Sequence, residues 1–151
     1  MKKLALFASV LMLGVLAASA GTLGVAQYND DPVTATPSTL IPTGTGYATF
    51  LTVKNNTAAN QTYTILYFSL QGVDRTPGAN TFTVSANSAR GWRPVETDGP
   101  SEGAGSTVPN ATAGPNGTAS IIYSAVGNAP SGRVLTTVGV ANLAYAWSMI
   151  P

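Results

Sequence analysis

The side chains able to do chemistry are few: six acids, seven cations and a large pool of serine and threonine, with no histidine and no cysteine. Without imidazole or thiolate, most nucleophile–base pairs and nearly all zinc or copper sites are ruled out. Asp30 and Asp31, with Asp98 and Glu102 elsewhere, supply the hard oxygens that calcium wants, but their spacing matches no calcium loop, and they read as solvated carboxylates. Glu96 and Glu102 would be the carboxylate pair of a glycosidase, yet a Gly-rich stretch holds them badly for fixed geometry. A serine nucleophile needs a base, and only Lys54 is left to serve once the N-terminal lysines are set aside. Gly103-x-Gly105 lacks the lysine and the strand-to-helix setting of a phosphate cradle. The expectation is a non-enzyme with no catalytic residue, no metal site and no cofactor.

Aromatic residues offer a second kind of chemistry, a stacking platform for sugars. Trp92, flanked by Arg90 and Arg93, is the candidate contact surface, with cation–π packing as the plainer reading. Tyr47, Tyr63, Tyr67, Tyr123, Tyr145 and Trp147 could extend such a platform, but aromatics recurring with a period of two on strands, as in Tyr63/Tyr67 and Tyr145/Trp147, more often form a sheet core. Asn55, Asn60, Asn110 and Asn116 each begin an N-x-[ST] triplet, and all four fall in expected turns, which makes them candidate glycosylation sites.

The elements that position these groups are strands. In Tyr47–Lys54 and again in Tyr63–Leu70, alternate residues fall on opposite sides of an extended chain. The second run is apolar on both sides, so it is expected in the middle of a sheet. Asn55–Asn60 between them supplies turn residues, and the pair reads as an antiparallel hairpin. Asn80–Val84 alternates and is turned round by Ser85–Ser88. Ala89–Val95 follows, with a parity conflict that points to a bulge near Gly91. Glu96–Gly117 has Val108 as its single large apolar residue and is expected to be a long exposed loop. Thr118–Ser124 and Arg133–Val138 read as strands lying side by side. Leu143, Tyr145, Trp147 and Met149 share one face of a last strand, which must be paired or donated, since a free apolar edge invites aggregation.

Ahead of these elements stand two segments of different character. Lys2 and Lys3, an uncharged run from Leu4 to Leu16 and then Ala18-x-Ala20 have the form of a cleaved export signal covering residues 1–20. Removing twenty residues from 151 leaves 131, enough for one domain, and loss of two lysines takes the net charge from +1 to −1. So small a charge gives no field for nucleic acid, and contact with a membrane is expected only during export. Residues 21–46 contain Pro32, Pro37 and Pro42 and read as an extended arm, with Leu23, Val25 and Tyr28 as its apolar contacts. Its opening, Gly21–Asp31, is at best a short or irregular strand, because Leu23 and Val25 alternate with small residues and Tyr28 follows out of phase. Residues 47–151 are then the folded domain. The expected fold is all-β, an immunoglobulin-like antiparallel β-sandwich of about seven strands with an extended N-terminal arm.

The run T-F-L-T-V-K-N-N-T, the Tyr/Ile/Phe strand after it, then T-F-T-V-S-A-N-S and W-R-P resemble small immunoglobulin-like surface domains of exported prokaryotic proteins. The layout of signal, Pro-containing arm and lone sandwich also resembles filament subunits joined by strand donation. It lacks the cysteine pair and penultimate tyrosine of chaperone–usher pilins. The resemblance implies an extracellular or cell-surface location and copies of the chain itself as partners, polymerising through the arm. The alternative expectation is a monomeric secreted module that binds a glycan or a cell-surface partner through Trp92 and the 96–117 loop.

Overall fold

The computed structural model describes residues 20–30, 47–95, 108–124, 130–138 and 143–149. The expected signal (1–19 of it), most of the expected arm (31–46) and the acids Asp31, Glu96, Asp98 and Glu102 lie outside the described residues. Within them the secondary structure is all strand: β1 (Ala20–Asn29), β2 (Tyr47–Lys54), β3 (Gln61–Phe68), β4 (Thr81–Val84), β5 (Ala89–Trp92), β6 (Asn116–Ser124), β7 (Ser131–Val138) and β8 (Leu143–Ser148). They form two four-stranded antiparallel sheets, ordered β1-β6-β3-β4 and β5-β2-β7-β8.

The two sheets enclose one core. Leu23 and Val25 of β1, Tyr63, Ile65 and Tyr67 of β3, and Ile121 of β6 face Leu51 and Val53 of β2, Trp92 of β5 and Val134 of β7. The two-residue period places them there: along β3 and β6, buried residues alternate with half-exposed ones. At a typical 1.5–3 kcal/mol for each large apolar side chain buried, this core is the main source of stability. A smaller buried pair, Ala48 and Phe50, lies on the other face of β2.

β3 is central, between β6 and β4, as its two-sided apolar pattern requires. Three expected neighbour relations differ. β2 and β3 do not form a hairpin but lie in opposite sheets, and so do β4 and β5, and β6 and β7. The members of each pair are thus divided between the two sheets instead of lying side by side in one. The register of β2 with β5 is unbroken from Leu51↔Trp92 to Lys54↔Ala89, so there is no bulge at Gly91. Arg90 shares the inward parity of Trp92 because it stands at the sheet edge, where a long side chain can leave the core half-exposed.

Asn55 is what makes the first crossing. Its side chain is fully buried, and its amide nitrogen lies 2.7 Å from Ala59 O, 3.2 Å from Val84 O and 3.0 Å from Ser85 O, donating its two hydrogens among three carbonyls. Its Oδ1 accepts from Thr57 N and Thr57 Oγ1, both at 2.9 Å. One residue thus ties the end of β2 to the end of β4 in the facing sheet. Asn55→Ala leaves these buried groups unpaired and is expected to cost about 2 kcal/mol. In urea unfolding the midpoint should fall with the slope unchanged.

Candidate functional site

The most informative site is the groove that β1 fills. β1 is an edge strand, paired with β6 from Ala20↔Ser124 to Asn29↔Asn116. Leu23 and Val25 point inward and Ala26 and Gln27 both point out, so that Tyr28 turns in again. The register shifts between Val25 and Tyr28 accordingly. This extra residue is a β-bulge, and it resolves the parity break that makes the segment look irregular in sequence. Residues 21–29 are therefore paired into the domain as β1, and Leu23, Val25 and Tyr28 belong to its core.

Close approaches fix both ends of β1. A Cβ at Gly21 would overlap the ring of Tyr123, the residue directly opposite. A Cβ at Gly117 would collide with Phe68 O and the Tyr28 hydroxyl, so the absence of a side chain there makes the seat for Tyr28. The Tyr28 ring meets Tyr67 edge-on, with centroids 6.0 Å apart and planes at 86°. Burial raises the Tyr28 pKa above its ordinary value of 10.0, with the nearby Arg75 charge opposing. The buried hydroxyl has no partner in full hydrogen-bond geometry among the described residues, although the Arg75 side chain is close enough to act on it and lower its pKa.

Because the folded protein holds this phenol in its neutral form, Tyr28 contributes stability below pH 10 that is lost as the pH rises through its folded value. Tyr28→Phe is expected to be at least as stable as the parent at pH 7 and to lose less stability as the pH is raised above 10. Chemical denaturation at a series of pH values checks both expectations.

Where β1 ends, the chain is clamped by polar contacts. Asn29 N donates to Thr49 Oγ1 at 3.1 Å and Thr49 Oγ1 donates to Asn29 O at 2.6 Å, which joins β1 to β2 across the core. Asp30 N donates to Pro115 O at 2.6 Å. The Asp30 carboxylate then receives Arg93: Nε at 2.9 Å and Nη2 at 2.6 Å both donate to Oδ1, while Val95 N donates to Oδ2 at 3.0 Å. Both side chains are fully buried. Asp30 is thus no solvated carboxylate or calcium ligand, and Arg93 is no surface cation. Residues immediately after two different strands meet here, one from each sheet.

The expected contact surface of Trp92, Arg90 and Arg93 does not exist as a surface. Trp92 is fully buried, with its ring 5.2 Å from Phe82, and Arg93 is occupied with Asp30. The second half of the expected loop is also fixed to the domain: Val108 and Ala111 are in the core, and Ala111 N donates to Pro94 O at 2.7 Å. Of the four candidate glycan acceptors, Asn55 has its amide nitrogen committed inside the fold. Asn110 donates to Val95 O and is half-buried, Asn116 is half-buried at the start of β6, and Asn60 is exposed. Lys54 lies directly opposite Ser131 on the outer face of β2 and β7, both exposed, in an open depression of about 360 Å³. Neither is enclosed in the dry pocket that a lysine-activated serine requires. No group of three or more acids among the described residues could hold a metal ion.

Sequence reasoning named Leu23, Val25 and Tyr28 but missed Gly21, Thr49, Asp30 and Arg93 as parts of one site. The only sequence signal for them is the out-of-phase Tyr28, which marks a bulge.

Comparison with family models, with curated proteins and with solved structures gives no match for the chain. What the geometry defines is an all-β protein of two antiparallel sheets whose first described strand closes an edge groove and is locked by a buried ion pair.

Proposed function

We propose that this protein is the structural subunit of an extracellular filament or surface assembly, in which β1 of one copy fills the β1 groove of the next. The observation that carries this reading is the position of β1 against the length of chain behind it. Sixteen residues, 31–46, separate its clamp from β2, although Asn29 and Thr49 are in hydrogen-bond contact. A Pro-containing connection of that length reaches about 50 Å when extended. A few residues would close the gap within one molecule, and the surplus allows the strand to enter a neighbour.

The strand order supports the same reading. β2 beside β5 and β3 beside β6, in facing sheets, is how the B, E, C and F strands of an immunoglobulin-like sandwich are arranged. In that fold the strand after F takes the edge beside it. Here the strand after β6 crosses to lie beside β2, and the edge next to β6 is left to the N-terminal strand. A groove filled from the far end of the chain can be filled equally well from another chain. An empty groove would uncover Ala119, Ile121 and Tyr123 and forfeit burial of Leu23, Val25 and Tyr28, about 5–9 kcal/mol in all.

The contacts are the same whether β1 binds its own domain or a neighbour's, so the balance depends on the effective concentration of the tethered strand, which is millimolar for short flexible linkers. Dilute protein is then self-filled and crowded protein is joined head to tail. Such contacts propagate instead of closing. Two differently labelled populations, unfolded together and refolded at increasing concentration, should give mixed oligomers whose share rises with concentration in light scattering and electron microscopy. Monomers at every concentration, with no mixing of labels, would overturn the reading.

A further inference from the structure

We infer that the β1 groove is a selective peptide site in which Arg93 recognises a carboxylate just past the end of the bound strand, and that its ligand is the Ala20–Asp30 segment of a second copy. The inference rests on the strand-exchange reading and adds to it what the groove selects for.

Backbone pairing alone does not choose a register, since any extended peptide can supply it. Three features of this groove do. Tyr123 lies where the residue opposite it must lack a side chain, and Gly21 meets that demand. The seat beside Gly117 takes an aromatic ring, and it is reached only because the strand carries one extra residue between Val25 and Tyr28. Arg93 is fully buried, so a ligand that brings no negative charge leaves a cation uncompensated in the interior. A slip of two residues keeps the inward face inward but fails at all three points. It puts a side chain under Tyr123, displaces the bulge, and leaves Tyr28 or Pro32 where Asp30 belongs. Only residues 21–30 of the 151 have the pattern Gly-x-apolar-x-apolar-x-x-Tyr-x-Asp. The groove therefore favours copies of its own chain, and Arg93 is the residue that enforces the choice.

The first test reverses the charges in the full chain. Asp30→Arg places two cations at the clamp and Arg93→Asp places two anions, so neither variant can fill its own groove correctly. Mixed, each supplies the strand that the other accepts. The expected result is that neither variant assembles alone, and that an equimolar mixture refolded together forms hetero-oligomers. Assembly of either single variant to the extent of the parent would overturn the role of Arg93.

The second test keeps the protein unchanged, in case charge reversal prevents folding. The full chain is unfolded and refolded with a labelled peptide of residues 20–30, or with the same peptide carrying Asp30→Asn. Incorporation of the substituted peptide should be lower by at least about tenfold. Equal incorporation of the two would overturn selection by Arg93 and leave strand exchange standing. No incorporation of either peptide, together with a monomeric mixture in the first test, would overturn strand exchange itself.

Discussion

Trp92→Ala is expected to remove about 3–5 kcal/mol of stability, the range for truncating a fully buried aromatic residue. A domain with about 5–15 kcal/mol in total would be left near its unfolding threshold. Trp92 is fully buried at the end of β5, with its ring 5.2 Å from Phe82 of the facing sheet. Its Nε1 donates to Tyr67 Oη at 2.9 Å, and Tyr67 Oη donates to Pro109 O at 2.9 Å. This relay runs from one sheet through the other to the segment ahead of β6, so the substitution opens a cavity and cuts a cross-core link together. Trp92→Phe keeps much of the ring volume and should cost less than half as much, which separates the packing from the hydrogen bond. Thermal unfolding with near-ultraviolet circular dichroism measures both. A Trp92→Ala protein within about 1 kcal/mol of the parent would mean that the ring is not a core element, and would restore it as a contact residue.

Trp92 also shows how much the sequence could say. Its inward parity is visible in the alternation along Ala89–Val95, but the flanking arginines make it look like an exposed platform. What decides the matter is that Arg93 is spent on Asp30, a residue 63 positions away. Two-residue periodicity sorts side chains between faces, and on that basis strands β2 to β8 are legible from sequence. Periodicity does not say whether a turn folds back within a sheet or crosses to the other one. Asn55–Asn60 and Ser85–Ser88 have the composition of hairpin turns, yet both are crossings, because the Asn55 side chain binds Val84 O and Ser85 O on the facing sheet.

β1 is only partly legible for a related reason. Leu23 and Val25 keep step while Tyr28 does not, and prolines follow, so the segment reads as at best a short or irregular strand at the head of an extended arm. A single bulge restores Tyr28 to the core. The functional consequence is that the apolar residues expected to seek a neighbour are the ones that complete the domain's own groove. The proposed assembly is then an exchange of one strand between equivalent seats, and the arm's residues do not change their partners, only the chain that supplies them.

Removing one member of the Asp30–Arg93 pair should be about as damaging as the loss of Trp92, for an electrostatic reason. Arg93→Met leaves a buried carboxylate whose oxygens retain Val95 N but lose both guanidinium contacts, and a cost of about 3–5 kcal/mol is expected. Asp30→Asn should cost a similar amount by leaving the cation uncompensated. Arg93→Lys should not rescue, because Nε and Nη2 reach Oδ1 from one planar group that an ammonium cannot imitate. The pair is fully buried, so these losses should change little between low and high salt, unlike those of a surface pair. The double variant Asp30→Leu with Arg93→Met supplies the decisive comparison. Arg93 Nη1 has no hydrogen-bond partner among the described residues, so the native pair is not fully compensated for its burial. Replacing both charges with apolar groups should therefore recover most of the stability lost in either single variant, a strong coupling in a double-mutant cycle. Such a protein would fold with a groove that no longer demands a carboxylate, so stability would return without selectivity. If the two single losses simply add, the ion pair does not bind β1 to the rest of the domain in the way its geometry requires.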